Sequence, residues 1–154
     1  MDRDEGFSAG NISFFIALLA TSLALGGALA HALELPNKIG LSQQDYFTVQ
    51  QIYAGWNRLA YLLVAELIGM LAVIVTYRNV RQVFWPALLA LGFLIAAQLI
   101  FWTFTFPANA ATSNWMEQPA NWDALRTQWE YSHLAGAIFQ LLAMISLIVA
   151  VLRR

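Results

Sequence analysis

Four apolar stretches govern what this chain can fold into. They cover residues 12–33, 59–77, 84–106 and 133–152. Roughly 20 mostly apolar residues in helical form cross the hydrocarbon core of a bilayer. Hydrophobic residues make up 60% of the 154 and charged residues only 11%, against about 25% charged in an average soluble domain. The expectation is an all-α protein, an integral membrane bundle of four transmembrane helices. One domain, residues 1–154, accounts for the whole chain and leaves no room for a separate soluble domain. The first span follows a short N-terminal segment with no basic leader and no small-residue cleavage site. It therefore reads as a retained helix rather than a removed signal peptide. There is no cysteine, which excludes thiolate metal sites, disulfides and redox thiols. The net charge of −1 and the lack of any basic run give no reason to expect nucleic acid as a partner. The lipid bilayer is the expected one.

Four spans put the N-terminus, the 78–83 loop and the C-terminus on one side. That side carries Arg3, Arg78, Arg81, Arg153 and Arg154; the other carries Lys38, Arg58 and Arg126. The bias places both termini in the cytoplasm, as in a bacterial inner-membrane protein. The connections 36–55 and 107–128 then face outward. In the first, Ser42-x-x-Asp45 is a helix start resembling a capping box. Tyr46, Val49, Ile52, Tyr53 and Trp56 follow at helical spacing, which predicts an interfacial helix lying on the membrane and bent at Gly55. In the second, Trp115, Trp122 and Trp129 recur every seven residues. Asn121 is a candidate N-cap and Asp123 suits a first helical turn, so helix four is expected to start near Trp122 and project above the membrane. The tryptophans read as belt anchors, with stacking on a flat aromatic ligand as the alternative. Helix one carries Ala20, Ala24 and Ala28 with Gly26 and Gly27, a stripe that lets backbones approach closely. Pro86 is expected in the first turn of helix three, where its missing N–H does no harm. Phe14, Phe15, Phe93 and Phe101 read as lipid-facing.

Against this background the polar side chains stand out. Only two histidines occur, in His31-x-x-Glu34 and Glu130-x-x-His133. Each lies about 29 Å above the cytoplasmic end of its span, so the two are level. Helices one and four run in opposite directions, and the reversed order of the motifs puts both glutamates one turn further out. The spacing places each histidine and its glutamate on one helix face. If those faces meet, they form a cluster of two imidazoles and two carboxylates. A deeper tier holds Glu66, Gln98 and Gln140, at heights of about 17, 21 and 18 Å. Glu66 is costly there as an anion, and is expected to be protonated and hydrogen-bonded to Gln98 or Gln140. It serves either as interhelical glue or in a proton path or ligand contact.

Several chemistries fit the upper cluster. Two histidines with carboxylates suit a transition metal, with His31 and His133 as ligands, and two histidines on facing helices suit a haem. A di-iron site needs glutamates from the other two helices; helix three offers Gln98, and Glu66 sits about 12 Å too low. With no cofactor at all, a histidine can take a proton from a bound phenol-like substrate. The plain alternative is a pair of interfacial salt bridges.

The most distinctive segment is Pro107-Ala-Asn109, then Trp115, then Asn121-Trp-Asp-Ala-Leu-Arg126-x-x-Trp129-Glu130-x-x-His133. In these motifs the chain resembles the anthrone-oxygenase-like family of small four-helix membrane proteins. That family shows P-x-N after helix three and L-R-x-x-W-x-x-x-H entering helix four. The resemblance implies the four-helix membrane fold. For the named members it also implies oxidation of anthrones to anthraquinones by O2 without a conventional cofactor. By position, the matching residues are Asn109, Arg126, Trp129 and His133. The family often places an arginine three residues after the histidine, where this chain has Gly136, a departure that bears on substrate handling.

Two functions follow as expectations. The first is an oxidoreductase or oxygenase acting on a lipophilic aromatic or quinone-like compound. In it His133 is the base, His31 its partner or co-ligand, and Glu34 and Glu130 orient the imidazoles. Trp115 and Trp129 cover the substrate ring, while Arg126 or Asn109 binds a developing oxyanion. The second is a non-catalytic accessory subunit of a larger membrane complex, or a homo-oligomer. Four helices with one buried acid make only a thin case for a transporter.

Overall fold

A computed structural model describes residues 8–154, and every regular element among them is helical. The helices are α1 (Ala9–Lys38), α2 (Gln43–Gln50), α3 (Ala60–Thr76), α4 (Arg81–Ile100), α5 (Phe106–Ala111) and α6 (Trp122–Leu152). Two 3₁₀ turns, Gln51–Tyr53 and Trp56–Leu59, join α2 to α3, and a π-helical turn, Phe101–Thr105, joins α4 to α5. Four continuous stretches are long and apolar enough to cross a membrane: Ala9–Lys38, Trp56–Thr76, Arg81–Ala111 and Trp122–Leu152. Arg3, part of the charge bias, lies outside the described residues.

Both long connections contain more helix than the sequence suggests, and prolines are the reason. Pro36 reads as the start of a loop, yet α1 continues through it to Lys38. A proline removes one backbone hydrogen bond and crowds the preceding turn. Here the final turn is held by side-chain bonds from Lys38 to Tyr53 and Glu130. Pro107 likewise does not end helix three. In the π-helical turn the Phe106 N–H reaches back five residues to the Phe101 carbonyl. That reset places Pro107 in the first turn of α5, where an N–H is not needed. Pro86 falls in the second turn of α4, not the first, because that helix starts earlier, at Arg81.

Capping follows the local chemistry in part. Ser8 accepts from the Asn11 N–H at 3.2 Å, and Ser42 starts α2 by accepting from the Asp45 N–H at 3.2 Å. Gly55 provides the bend between the 3₁₀ turns at φ 86°, a left-handed conformation that glycine adopts freely. Helix α6 starts at Trp122 as expected, but the Asn121 side chain makes no capping bond.

Each long helix packs on two others: α1 on α3 and α6, and α4 on α3 and α6. Arg154 bonds to Asn11 at 2.7 Å, while His31 meets His133 at the other end of the same pair. Helices α1 and α6 are therefore antiparallel. The shared core is built from small and branched residues, among them Ala17, Val73, Val83, Ala90 and Leu147. Phe14 joins it and is buried, whereas Phe15 is exposed; Phe93 and Phe101 are half-buried. The tightest approach is lower on α1 than the Ala20, Ala24, Ala28 stripe indicates. A Cβ placed on Gly69 would lie 2.6 Å from the Ala17 backbone nitrogen, so only glycine lets α3 close onto α1 there.

Gly69→Ala is expected to destabilise the fold by about 1–3 kcal/mol, the usual cost of overpacking. Gly92→Ala, where a Cβ meets nothing within 4 Å, should leave stability unchanged or slightly raised. Thermal melts of the two variants in detergent, followed by circular dichroism, make the comparison.

Candidate functional site

The antiparallel pairing of α1 and α6 brings the two histidines into contact. Their rings stack with centroids 4.1 Å apart and planes 24° from parallel. Aromatic side chains wall them in. Tyr53 lies 4.4 Å and Trp56 5.1 Å from His31, and Trp129 lies 4.2 Å from His133, centroid to centroid. His31 is buried, and its Nδ1 has no hydrogen-bond partner among the described residues. His133 is half-buried.

The carboxylates do not bond to the imidazoles. They are gathered by a lysine that follows the first apolar stretch in the sequence. Lys38 is only 3% exposed. Its Nζ lies 3.2 Å from Glu130 Oε1 and 3.5 Å from Glu34 Oε2, and donates to the Tyr53 hydroxyl at 2.7 Å. The ammonium also sits 4.6 Å from the Tyr53 ring centroid and 4.8 Å from that of Trp129, within reach of cation–π attraction. Tyr53 donates to Glu34 Oε2. On the far side Tyr46 donates to Glu130 Oε1 at 2.9 Å and in turn accepts from Gln50. A continuous hydrogen-bonded array thus runs from Gln50 through Tyr46, Glu130, Lys38 and Tyr53 to Glu34. Burial, and then the neighbouring Glu130 charge, push the Tyr46 hydroxyl far above its ordinary pKa. Burial, and then the bond to Glu34, do the same to Tyr53.

Lys38, Tyr46, Gln50 and Tyr53 were not singled out as site residues, although their spacing is visible. His31, Glu34 and Lys38 fall at i, i+3 and i+7, one face of one helix. Ending that helix at Pro36 hid the third member. Tyr46 and Gln50 are four apart on α2, a face that reads as membrane-surface but is buried against the site, with Tyr46 fully inaccessible.

The residues carried by the 107–130 motifs form a supporting layer. Asn109 Oδ1 accepts from Trp129 Nε1 at 2.8 Å and from Trp115 Nε1 at 3.2 Å. It fixes both indoles, which are buried rather than belt anchors. Trp115 follows Ser113 and Asn114 in a run of three left-handed residues, φ 47°, 56° and 64°. Such a run is strained for residues with a Cβ; it is held by Trp115 burial and by a bond from its N–H to Thr112 Oγ1 at 3.0 Å. Arg126 donates to the Leu41 carbonyl at 2.7 Å and to Asp123. Its guanidinium lies 4.6 Å from the Trp122 ring centroid, so it ties the first connection to α6. Beside the π-helical turn, the Thr105 and Ser132 hydroxyls bond at 2.7 Å, and Gln128 donates to the Phe104 carbonyl at 2.7 Å.

In the deeper tier Gln140 donates to Glu66 Oε1 at 2.6 Å. Glu66 is completely inaccessible. Gln98, the alternative partner, is half-buried and takes no part in this bond.

Among the described residues no three His, Asp or Glu side chains converge as a metal-ligand set. Stacked rings in contact leave no layer between them for a macrocycle. Chemically, the arrangement offers two imidazoles in an aromatic box, a buried nitrogen of His31 without a partner among the described residues, and a charged relay alongside. No family model, curated protein or solved structure matches the chain.

Lys38→Met leaves the Glu130 carboxylate buried without its cation, which is expected to cost about 3–5 kcal/mol. Adding Glu130→Gln should recover much of that loss in a thermal melt. If it does not, Lys38 acts through packing alone. The tyrosines give a pH signature. Unfolded tyrosine ionises near pH 10, while the folded state holds Tyr46 and Tyr53 neutral to higher pH. Their contribution is complete below about pH 10 and is lost as pH rises beyond it. The double variant Tyr46→Phe/Tyr53→Phe should therefore show a shallower alkaline fall in melting temperature than the wild type.

Proposed function

We propose that this chain is an integral membrane four-helix bundle that acts as an oxidoreductase on a lipophilic aromatic or quinone-like compound. The histidine cluster is its site, near the outer membrane boundary, with both termini cytoplasmic. The observation that carries the reading is the unpartnered Nδ1 of buried His31, stacked on His133 and boxed by Tyr53, Trp56 and Trp129. A flat, apolar, weakly acidic ring is the ligand whose shape suits aromatic walls and whose proton suits an imidazole. A surface opening of about 260 Å³, lined by Gly27, Gly55, Trp56, Arg58 and Leu59, reaches one of those walls. It supports lateral arrival from the bilayer.

In this mechanism the imidazole pair takes the acidic proton of the substrate. The carbon left with the electron pair bonds to dioxygen, giving a hydroperoxide; loss of the second hydrogen of that carbon with cleavage of the O–O bond releases water and leaves a carbonyl. For an anthrone-like ring, as the motif resemblance suggests, substrate plus O2 gives quinone plus water. Lys38, Glu34 and Glu130 position the aromatic walls and set the field at the ring pair. Asn109, through its Oδ1 to two tryptophans, and Arg126, through its two terminal nitrogens to Leu41 and Asp123, support the walls rather than bind an oxyanion. A metal or haem at His31 and His133 is not needed for this step.

A second reading, an accessory subunit, is favoured by a different observation. The array from Gln50 to Glu34 links α2, α6 and α1 through internal bonds, as a structural clamp would.

Oxygen uptake by the reconstituted protein with a hydroxyanthrone separates the two. His31→Ala and His133→Ala should each lower the rate by about 10²–10⁴, the usual worth of a positioned general base, with helix content and resistance to carbonate extraction unchanged. A variant that keeps the wild-type rate refutes the shared site. A wild type with no turnover, purified with a second chain at fixed stoichiometry, establishes the subunit reading.

A further inference from the structure

At the end of α6 away from the histidines, α4 and α6 part to leave a groove of about 470 Å³. Arg81 and Gln82 enter it from the first turn of α4, and Arg153 enters from just beyond the end of α6. Beneath them the walls are apolar, with Trp85 and Leu89 on one side and Val149 on the other. Both arginines are exposed, and among the described residues neither is ion-paired. Their neighbour Arg154 differs, since it is committed to Asn11 and to the face of Phe14.

Two cations set at the mouth of an apolar trough call for a ligand with an anionic head and an apolar tail. A soluble anion would leave the trough walls open, and a neutral lipid would leave the guanidinium groups without a counter-charge. Guanidinium groups match phosphate oxygens through paired hydrogen bonds, and basic pockets between transmembrane helices hold anionic headgroups. Trp85, 59% exposed, has the amphipathic ring that sits at headgroup level. We propose that this groove binds one anionic phospholipid, its phosphodiester between Arg81 and Arg153 and one acyl chain along Trp85, Leu89 and Val149. The proposal rests on the reading of the chain as membrane-inserted.

Native mass spectrometry of the detergent-solubilised chain tests it, with dioleoylphosphatidylglycerol against dioleoylphosphatidylcholine and with glycerol phosphate as a headgroup lacking tails. The expected result is one retained phosphatidylglycerol, preferred by roughly tenfold or more, since each arginine near a membrane surface is worth roughly fivefold. Arg81→Gln/Arg153→Gln should abolish the preference, and Arg78→Gln/Arg154→Gln, the same change in net charge outside the groove, should keep it. Val149→Trp should weaken retention by filling the trough without moving a charge. Equal retention of the two lipids overturns the site. So does an equal loss in both arginine pairs, indifference to Val149→Trp, or displacement of the lipid by glycerol phosphate. Release of the chain from membranes by alkaline carbonate would overturn the insertion reading itself. A carbonate-resistant chain without the lipid preference overturns this site alone.

Discussion

The ammonium of Lys38 holds the histidine end of this fold together. It is the one cation between the carboxylates of Glu34 on its own helix and Glu130 on α6. Burying the Lys38 or the Glu130 charge alone would cost several kcal/mol; each offsets the other, while Glu34 keeps part of its side chain exposed. Tyr46 and Tyr53 complete the arrangement from the first connection. A segment that looks like a loose outer loop is thereby pinned to α1 and α6. The His31–His133 stack follows from this, because the same two helices are locked in rotation one turn further on.

The deeper half of the molecule relies on steric fit instead. Gly69 admits Ala17, and the core there is rich in alanine and valine. The buried carboxyl of Glu66 is tied to Gln140 across two helices. The two ends thus differ in kind. The lower end is specified by close packing, which tolerates little added volume. The upper end is specified by charge and hydrogen bonding, which tolerates little loss of a partner.

Much of this was legible in the sequence. The four long apolar helices, the start of α6 near Trp122, the Ser42 cap, the Gly55 bend, the level histidines and a Glu66 bond to either Gln98 or Gln140 all follow from hydropathy, period and helical rise. What was not legible depends on prolines and on tertiary burial. Pro36 and Pro107 look like helix ends, and each is carried by a local device that single-residue rules do not show: side-chain anchoring of the last turn in one case, a π-helical reset in the other. Trp115 and Trp129 look like interfacial anchors because nothing in their spacing reveals Asn109, which accepts from both. Lys38 counts in the sequence only toward the charge of one side of the membrane; its burial depends on Glu130, far away in sequence.

The cluster is more polar than stability alone requires. Replacing a buried ion pair with well-packed apolar residues is often neutral or stabilising, and an unpaired buried polar atom costs about 1–3 kcal/mol. A purely structural clamp would be expected to leave no such atoms, yet His31 Nδ1 and Glu130 Oε2 are both buried without a protein partner. Trp129 packs on His31 and receives the Lys38 ammonium on its face. Gln50 Oε1 and Arg126 Nε, and Thr21 Oγ1 and Glu66 Oε2 in the deeper tier, are likewise buried without a partner among the described residues; what sets His31 Nδ1 apart is its place among aromatic rings. An unpartnered imidazole nitrogen inside aromatic walls is the feature that supports the ligand-handling reading over a closed structural joint.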